Sequence, residues 1–405
     1  MLPKRLLKIL CSLRLTLVLL ILGLLLVFLG TMAQEPLGLY LAQTRFFHSF
    51  FVDAASMMAA LRKSAQLLNW YVTPMQASEV LSAPWIPVFP GGYLIGGVLL
   101  ANLIAAHLQR FKFSRKKIGI FMVHAGLILL LLGQLMTDQL ASESGMHLTQ
   151  GETKNYSESD RHSELAMIDI TNPDRNKVVV IPESLLTPGA TLRDPELPFS
   201  ISVKQYYEHA MVTNRVDAGS GATLQVTQGA GARYRLIPLP KVTDMNYRDI
   251  PGAVVEVSSP DQSLGTWLVH GELTPQTFQY KDRTFQMVLR LRRFYHPFSL
   301  TLMEFRHDKY KGTDLPRNFS SQVRLRNSKT QEDREVLIYM NNPLRYSGLT
   351  FYQASFDRFD EKATVLQVVR NPSWVTPYLA CILVGAGLVV QFLTHLVGFI
   401  QKRIK

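Results

Sequence analysis

GGYLIGGVLLANLIAAHLQRFKFSRKKIGIFMVHAGLILLLLGQLMT, Gly91 to Thr137, decides the fold. Two apolar runs, Gly91–Gln109 and Ile118–Thr137, flank a turn that carries Arg110, Lys112, Arg115, Lys116 and Lys117 and no acidic residue. A hydrocarbon layer of ~30 Å takes about 20 apolar residues in helical form, so each run is long enough to cross it. The pair reads as a transmembrane hairpin with its turn on the cytoplasmic side, where lysine and arginine accumulate. Pro84, Pro87 and Pro90 introduce its first arm.

Two more runs qualify, Leu15–Gln34 before the hairpin and Trp374–Ile400 near the C-terminus. Thr31-Met32-Ala33 gives only a weak small-x-small site, and the first run is long for a signal peptide, so it reads as a retained anchor. The net charge of +12 fits this arrangement. Lys4, Arg5, Lys8 and Arg14, the five basic residues of the turn, and Lys402, Arg403 and Lys405 account for the whole excess. The remaining lysines and arginines balance the 31 acidic residues, which leaves no basic surface for a nucleic acid. Both tails and the turn are therefore expected in the cytoplasm, in the inner (cytoplasmic) membrane of a bacterium, with the large domain on the periplasmic or exterior side.

The expected fold is a membrane protein with four transmembrane α-helices and a large exported all-β, sandwich-like domain between the third and fourth. The domain boundaries follow. Residues 1–34 are the cytoplasmic tail and first span, and 35–90 an exported loop with interfacial helices, where Trp70 and Trp85 suit a membrane surface. Residues 91–137 are the hairpin, 138–373 the β-rich domain, and 374–405 the last span and basic tail. Within the domain, Leu165–Ile170, Lys177–Ile181, Phe199–Tyr207, Ala253–Val257, Phe285–Phe294, Phe298–Phe305, Phe319–Leu325, Glu335–Met340 and Thr364–Val369 alternate apolar and polar residues as strands do.

No GxSxG, Walker A, HExxH or GxGxxG motif occurs, so no stand-alone catalytic site is legible. Of the two cysteines, Cys11 precedes the first span and Cys381 lies within the fourth, and they make neither a CxxC pair nor a haem-attaching CxxCH. Three histidines lie in the spans. His107 is about 5 Å from the cytoplasmic edge, while His124 and His395 are each about 10 Å deep at 1.5 Å per residue. An ionisable group at such a position is a functional candidate. His107 is close enough to the edge to snorkel, and His395 follows Gln391 by one helical turn, which suits a hydrogen bond between helices. Around His124, Gly119, Gly126 and Gly133 recur every seven residues and form a seam for a close helix neighbour. His124 points roughly 160° away from that seam, free to ligate haem iron or to serve packing. The domain histidines His147, His162, His209, His270, His296 and His307 show no ligand-like spacing, and this domain is not expected to bind haem by itself.

Several segments resemble the ResB (CcsB) family of cytochrome c biogenesis proteins of the System II pathway. Ser12-Leu13-Arg14-Leu15-Thr16, Gly30-Thr31 and Gln34 resemble its first span, and Arg115 to Gly133, centred on His124-Ala125-Gly126, its third. Pro297-Phe298 to Phe305 and Tyr310-Lys311-Gly312 resemble a segment of its domain. The most specific piece is Met340 to Ser355, with Asn342, Pro343-Leu344, Tyr346, Gly348 and Tyr352-Gln353. Read from the residues alone, this piece is a strand–turn–strand in which Asn342-Pro343 opens the turn, Gly348 closes it and Tyr352 packs inward. Asn371-Pro372-Ser373 departs from the Asp-Pro-Gly usual before the last helix of the family, and Gly219 to Pro240 shows no alignable pattern.

The resemblance implies a haem-handling assembly factor that works with a tryptophan-rich partner of the CcsA type and delivers haem b for attachment to apocytochrome c. Thiol reductant proteins are further implied partners, and any enzymic role is that of a subunit of a cytochrome c synthase complex. The four tryptophans here are far apart, so the tryptophan-rich element belongs to the partner. His124 matches the family's membrane histidine ligand, with His395 and His107 as rivals and Arg115 and Lys116 placed to pair with haem propionates. A haem-free scaffold for CcsA or for apocytochrome docking remains the alternative, and an electron-transfer subunit with two haems lacks the four ligands it needs.

Overall fold

A computed structural model describes residues 4–110, 114, 117–214, 226–242, 247–309, 312, 316–356 and 362–404. The chain divides into two units, one holding the helices up to Ser142 and from Asn371 onward, the other spanning Glu143–Val242 and Tyr247–Arg370.

The helices of the first unit are α1 (Lys4–Leu10), α2 (Leu13–Leu37), α3 (Leu39–Ala42), α4 (Ala54–Leu67), α5 (Ala77–Ser82), α6 (Gly92–Arg110), α7 (Ile118–Leu140) and α8 (Thr376–Ile404). Four of them, α2, α6, α7 and α8, are long and apolar enough to cross a membrane. Their ends fall within a few residues of the four runs read from the sequence. Their outward faces are rich in exposed leucine, valine, isoleucine and phenylalanine, as suits helices solvated by lipid tails.

The break between α1 and α2 has a specific cause. Ser12 caps α2 by accepting from the Arg14 amide, which the Leu10 carbonyl would otherwise receive. Asn102 of α6, 1% exposed, donates to the Leu10 carbonyl in its place and also to the Ser12 carbonyl, which keeps the Thr16 amide as well, and its Oδ1 accepts from Thr16 Oγ1 at 2.7 Å. Between α2 and α6 the chain holds helices and more. It makes α3, a π-helix at Gln43–Phe47, a short antiparallel strand pair (Phe51–Asp53 with Pro87–Pro90), α4 and α5. Asp53 caps α4 by accepting from the Ser56 amide, and Arg45 bonds the same carboxylate at 3.2 Å.

In chain order the strands of the second unit follow α7 and precede α8. A four-stranded sheet packs face to face on part of a ten-stranded one. Phe199, Ile201, Val203, Val255 and Trp267 meet Leu165, Met167, Phe278, Phe285 and Met287 in that core, the expected sandwich. The rest of the ten-stranded sheet curls around a second core of its own, with Met146, Leu148, Leu300, Leu302, Val323, Ile338, Phe351 and Leu366. Two strands, Thr153–Asp169 and Arg283–Lys309, run through both lobes. Phe285–Phe294 and Phe298–Phe305, read as separate, are thus one strand of 27 residues. The pairing slips between Tyr295 and Leu300, where Pro297 has no amide to donate. Strands Ser142–Thr149, Ala210–Asn214, Tyr234–Pro238, Ser263–His270 and Gln276–Tyr280 add to those read from sequence.

Candidate functional site

The seam on α7 is occupied. An added Cβ at Gly119 lies 2.6 Å from the Gly387 carbonyl and the Gln391 amide, and one at Gly126 lies 2.6 Å from Val384 Cγ2. At Gly133 the neighbour is Thr376, 2.5 Å away. The partner helix is α8, whose Gly387 returns the close approach to Gly119. Ser373 locks the head of this pair, with its Oγ 2.7 Å from Thr137 Oγ1 and 3.3 Å from the Gly133 carbonyl. Asn371-Pro372-Ser373, the departure from the family pattern, is therefore a working junction.

With α8 on the glycine face, His124 turns to α6. Its ring centroid lies 5.5 Å from that of His107, with the planes 52° apart. The Phe121 ring, three residues before His124 on α7, lies 5.0 Å from that of His107, centroid to centroid. His124 Nδ1 lies 2.9 Å from the Ile120 carbonyl. A carbonyl only accepts, so Nδ1 carries the proton and Nε2 is left as the lone-pair nitrogen. That is the tautomer a neutral imidazole needs to bind iron, with the second nitrogen held by a backbone oxygen. His124 is half-buried, and the residues present fit an axial ligand of haem.

The other candidates fall elsewhere. His395 is exposed on α8, and among the described residues it makes no hydrogen bond to another helix. Gln391, its expected helper, is turned toward Gly119 with Oε1 buried and without a hydrogen bond. Arg115 and Lys116 lie outside the described residues, as do Tyr310 and Lys311 of the family-like segment. Cys11 is buried with its Sγ 3.4 Å from Gln109 Oε1, and both cysteines are free. No group of three or more His, Cys, Asp or Glu able to hold a metal ion occurs among the described residues.

The opposite end of the α6–α7 hairpin holds a cluster that sequence reading missed. Asp138 accepts from the Tyr93 hydroxyl, and its other oxygen lies 3.3 Å from His48 Nε2. The His48 ring is stacked nearly parallel to Tyr93 at 6.0 Å. Gly91 and Gly92 permit this, since a Cβ at either would sit 2.2–2.3 Å from the Ser49 and Phe47 carbonyls. The paired Gly91-Gly92 at a helix start was the available signal.

In the second unit the family-like Met340–Ser355 piece is structural. Its strand–turn–strand is present, with Leu344–Tyr346 paired to Leu349–Phe356 and positive φ at Ser347 and Gly348. Tyr352 does not pack inward. Phe351 does, fully buried, and Tyr352 faces out at 37% exposure, because successive side chains of a strand alternate. Tyr346 donates to Glu332 at 2.7 Å and accepts from Asn327 at 2.9 Å. Gln353 bonds Ser321 at 2.6 Å and Thr364 at 2.8 Å.

Four apolar helices and a large β unit define a multi-pass membrane protein. Residues 264–363 match the ResB-like family, a stretch that contains Met340–Ser355 but not His124. Protein NrfI of Wolinella succinogenes is 24% identical over 305 residues, or 73% of this chain and 29% of that protein, so the chain spans under a third of its relative's length. Over residues 264–363 the chain is thus similar to the ResB-like family.

Proposed function

We propose that this protein is an assembly factor of cytochrome c biogenesis that handles haem as cargo. In this reading it works with a tryptophan-rich, CcsA-type membrane partner, receives haem at the cytoplasmic side of the α6–α7 hairpin and passes it outward for attachment to apocytochrome c. His124 is the axial ligand on this chain. The observation that carries the reading is the fixed tautomer of His124, which keeps Nε2 unprotonated inside a membrane helix. The glycine seam supports it, because packing against α8 uses the opposite face and leaves the imidazole on the α6 side, beside His107. Lys117, exposed beside the head of α7, suits a propionate. The basic tails and turn support a loading end in the cytoplasm and a β unit outside.

Haem supplies the iron and its four equatorial nitrogens; the protein supplies an axial imidazole and a water-poor surround. His124→Gly should abolish cytochrome c maturation at unchanged protein level, and added imidazole should restore part of it by occupying the vacated position. His395→Gly should be near wild type. Full maturation in His124→Gly without imidazole would remove the ligand role. An alkaline phosphatase fusion after Ala141 that stays inactive would overturn the topology.

A further inference from the structure

The loading end of the hairpin carries two imidazoles, and both belong to this chain. The His107 and His124 rings lie against each other from successive helices, with centroids 5.5 Å apart and planes 52° apart. Nothing on the sequence placed them together, since one sits near the end of its helix and the other well inside the next. No third histidine, cysteine or carboxylate joins them among the described residues. A closed structural metal site takes four protein ligands, so two imidazoles alone do not build one. Two imidazoles do suit a metal that brings its own equatorial ligands and lacks only an axial pair, which is the requirement of haem iron. The Phe121 ring beside His107 gives the pair one apolar neighbour.

We infer that His107 is the second axial ligand to haem in this chain before any partner is engaged. The inference rests on the haem-handling reading of His124. It gives the chain alone a six-coordinate, low-spin site, with Nε2 of His124 on one face of the iron and His107 on the other. The two rings must part slightly to admit the macrocycle, and Phe121 must yield with them. A partner histidine then replaces His107, the ligand nearer the cytoplasmic edge, without disturbing His124.

The test uses the full-length protein, purified in detergent without a partner and titrated with ferric haem. Wild type should give the low-spin spectrum of bis-histidine haem at one haem per chain. His107→Ala should still bind haem but give a high-spin, five-coordinate spectrum that returns to low-spin when imidazole is added. His107→Gln, which keeps the size and polarity of the site, should behave the same way and guards against loss by misfolding. His124→Ala should lose the stoichiometric site. A low-spin spectrum that persists in both His107 variants overturns the inference and leaves the His124 reading standing. A high-spin wild type also overturns it. Unchanged binding in His124→Ala defeats the haem reading itself, since haem then sits in the micelle or at another site.

Discussion

Replacing Gly119 by alanine should loosen the α7–α8 pair, and the same replacement at Gly385 should not. The added Cβ at Gly119 meets two backbone atoms of α8 at 2.6 Å, about 0.8 Å inside the 3.4 Å where ordinary contact begins. Backbone cannot rotate away as a side chain can, so the helices must separate along the seam. Overpacking of this kind costs about 1–3 kcal/mol, and the backbone neighbours put Gly119 toward the upper end. Alanine regains up to ~1 kcal/mol of helix propensity, which leaves a net loss of roughly 1–2 kcal/mol. At Gly385, on α8 itself, nothing lies within 4 Å, so only the propensity gain remains. The two substitutions should therefore differ by about 2–3 kcal/mol although their chemistry is identical. Unfolding of the purified protein in mixed micelles with rising SDS measures it, with Trp374 fluorescence reporting the head of α8. Equal stability of the two variants, or a stabilised Gly119→Ala, would refute the close-packed seam.

Two further outcomes concern the β unit. Glu164 and Arg290 form a buried pair, 5% and 10% exposed, with Arg290 Nε donating to Glu164 Oε1 at 3.0 Å. Glu164→Ala should cost about 3–5 kcal/mol in a denaturant melt by stranding the guanidinium, whereas Glu164→Leu with Arg290→Met should recover most of it; a loss under ~1 kcal/mol in the single variant would contradict the burial argument. His296 is half-buried against Phe298 with Ser157 Oγ 3.0 Å from Nε2, and burial holds its pKa below the ordinary imidazole value. The unfolded chain then takes up the proton first, so stability is full above about pH 6.5 and falls as pH drops below it toward the lower folded value. Thermal melts from pH 7.5 to 5 should show that decline in wild type and a shallower one in His296→Gln; parallel profiles would remove His296 as the cause.

The helices were legible because a membrane imposes a length and a polarity that few other structures need. The apolar strands were legible by alternation. The missed strands failed that test for a physical reason: Ser142–Thr149 and the first half of Thr153–Asp169 direct Ser144, Ser157 and Ser159 inward, where Ser144 bonds Ser157 at 2.9 Å instead of offering apolar surface. The inward turn of Phe351 rather than Tyr352 was a one-residue error of register, which reverses every side chain of a strand. At the site, His124 and the glycine seam were readable from helical periodicity, yet the seam's occupant was not. Periodicity gives the angle between faces of one helix and says nothing about which helix fills each. His107 entered the site only through the hairpin geometry, and His48 and Asp138 met only because the chain from Gln43 folds back onto the α6–α7 end.

The strands Thr153–Asp169 and Arg283–Lys309 belong to both lobes of the β unit, and that sharing limits what the unit can do mechanically. Two lobes joined by a flexible linker can swing, unfold and evolve separately. Here any hinge between them would have to bend two paired strands at once and break the ladder that joins them, including the Arg293–Glu158 contact at 2.9 Å. A pull applied at the lobe bearing Met340–Ser355 is therefore transmitted to the sandwich lobe as to the far end of a beam. Amide exchange in the two cores should be lost together, and a nick in either strand should unfold both.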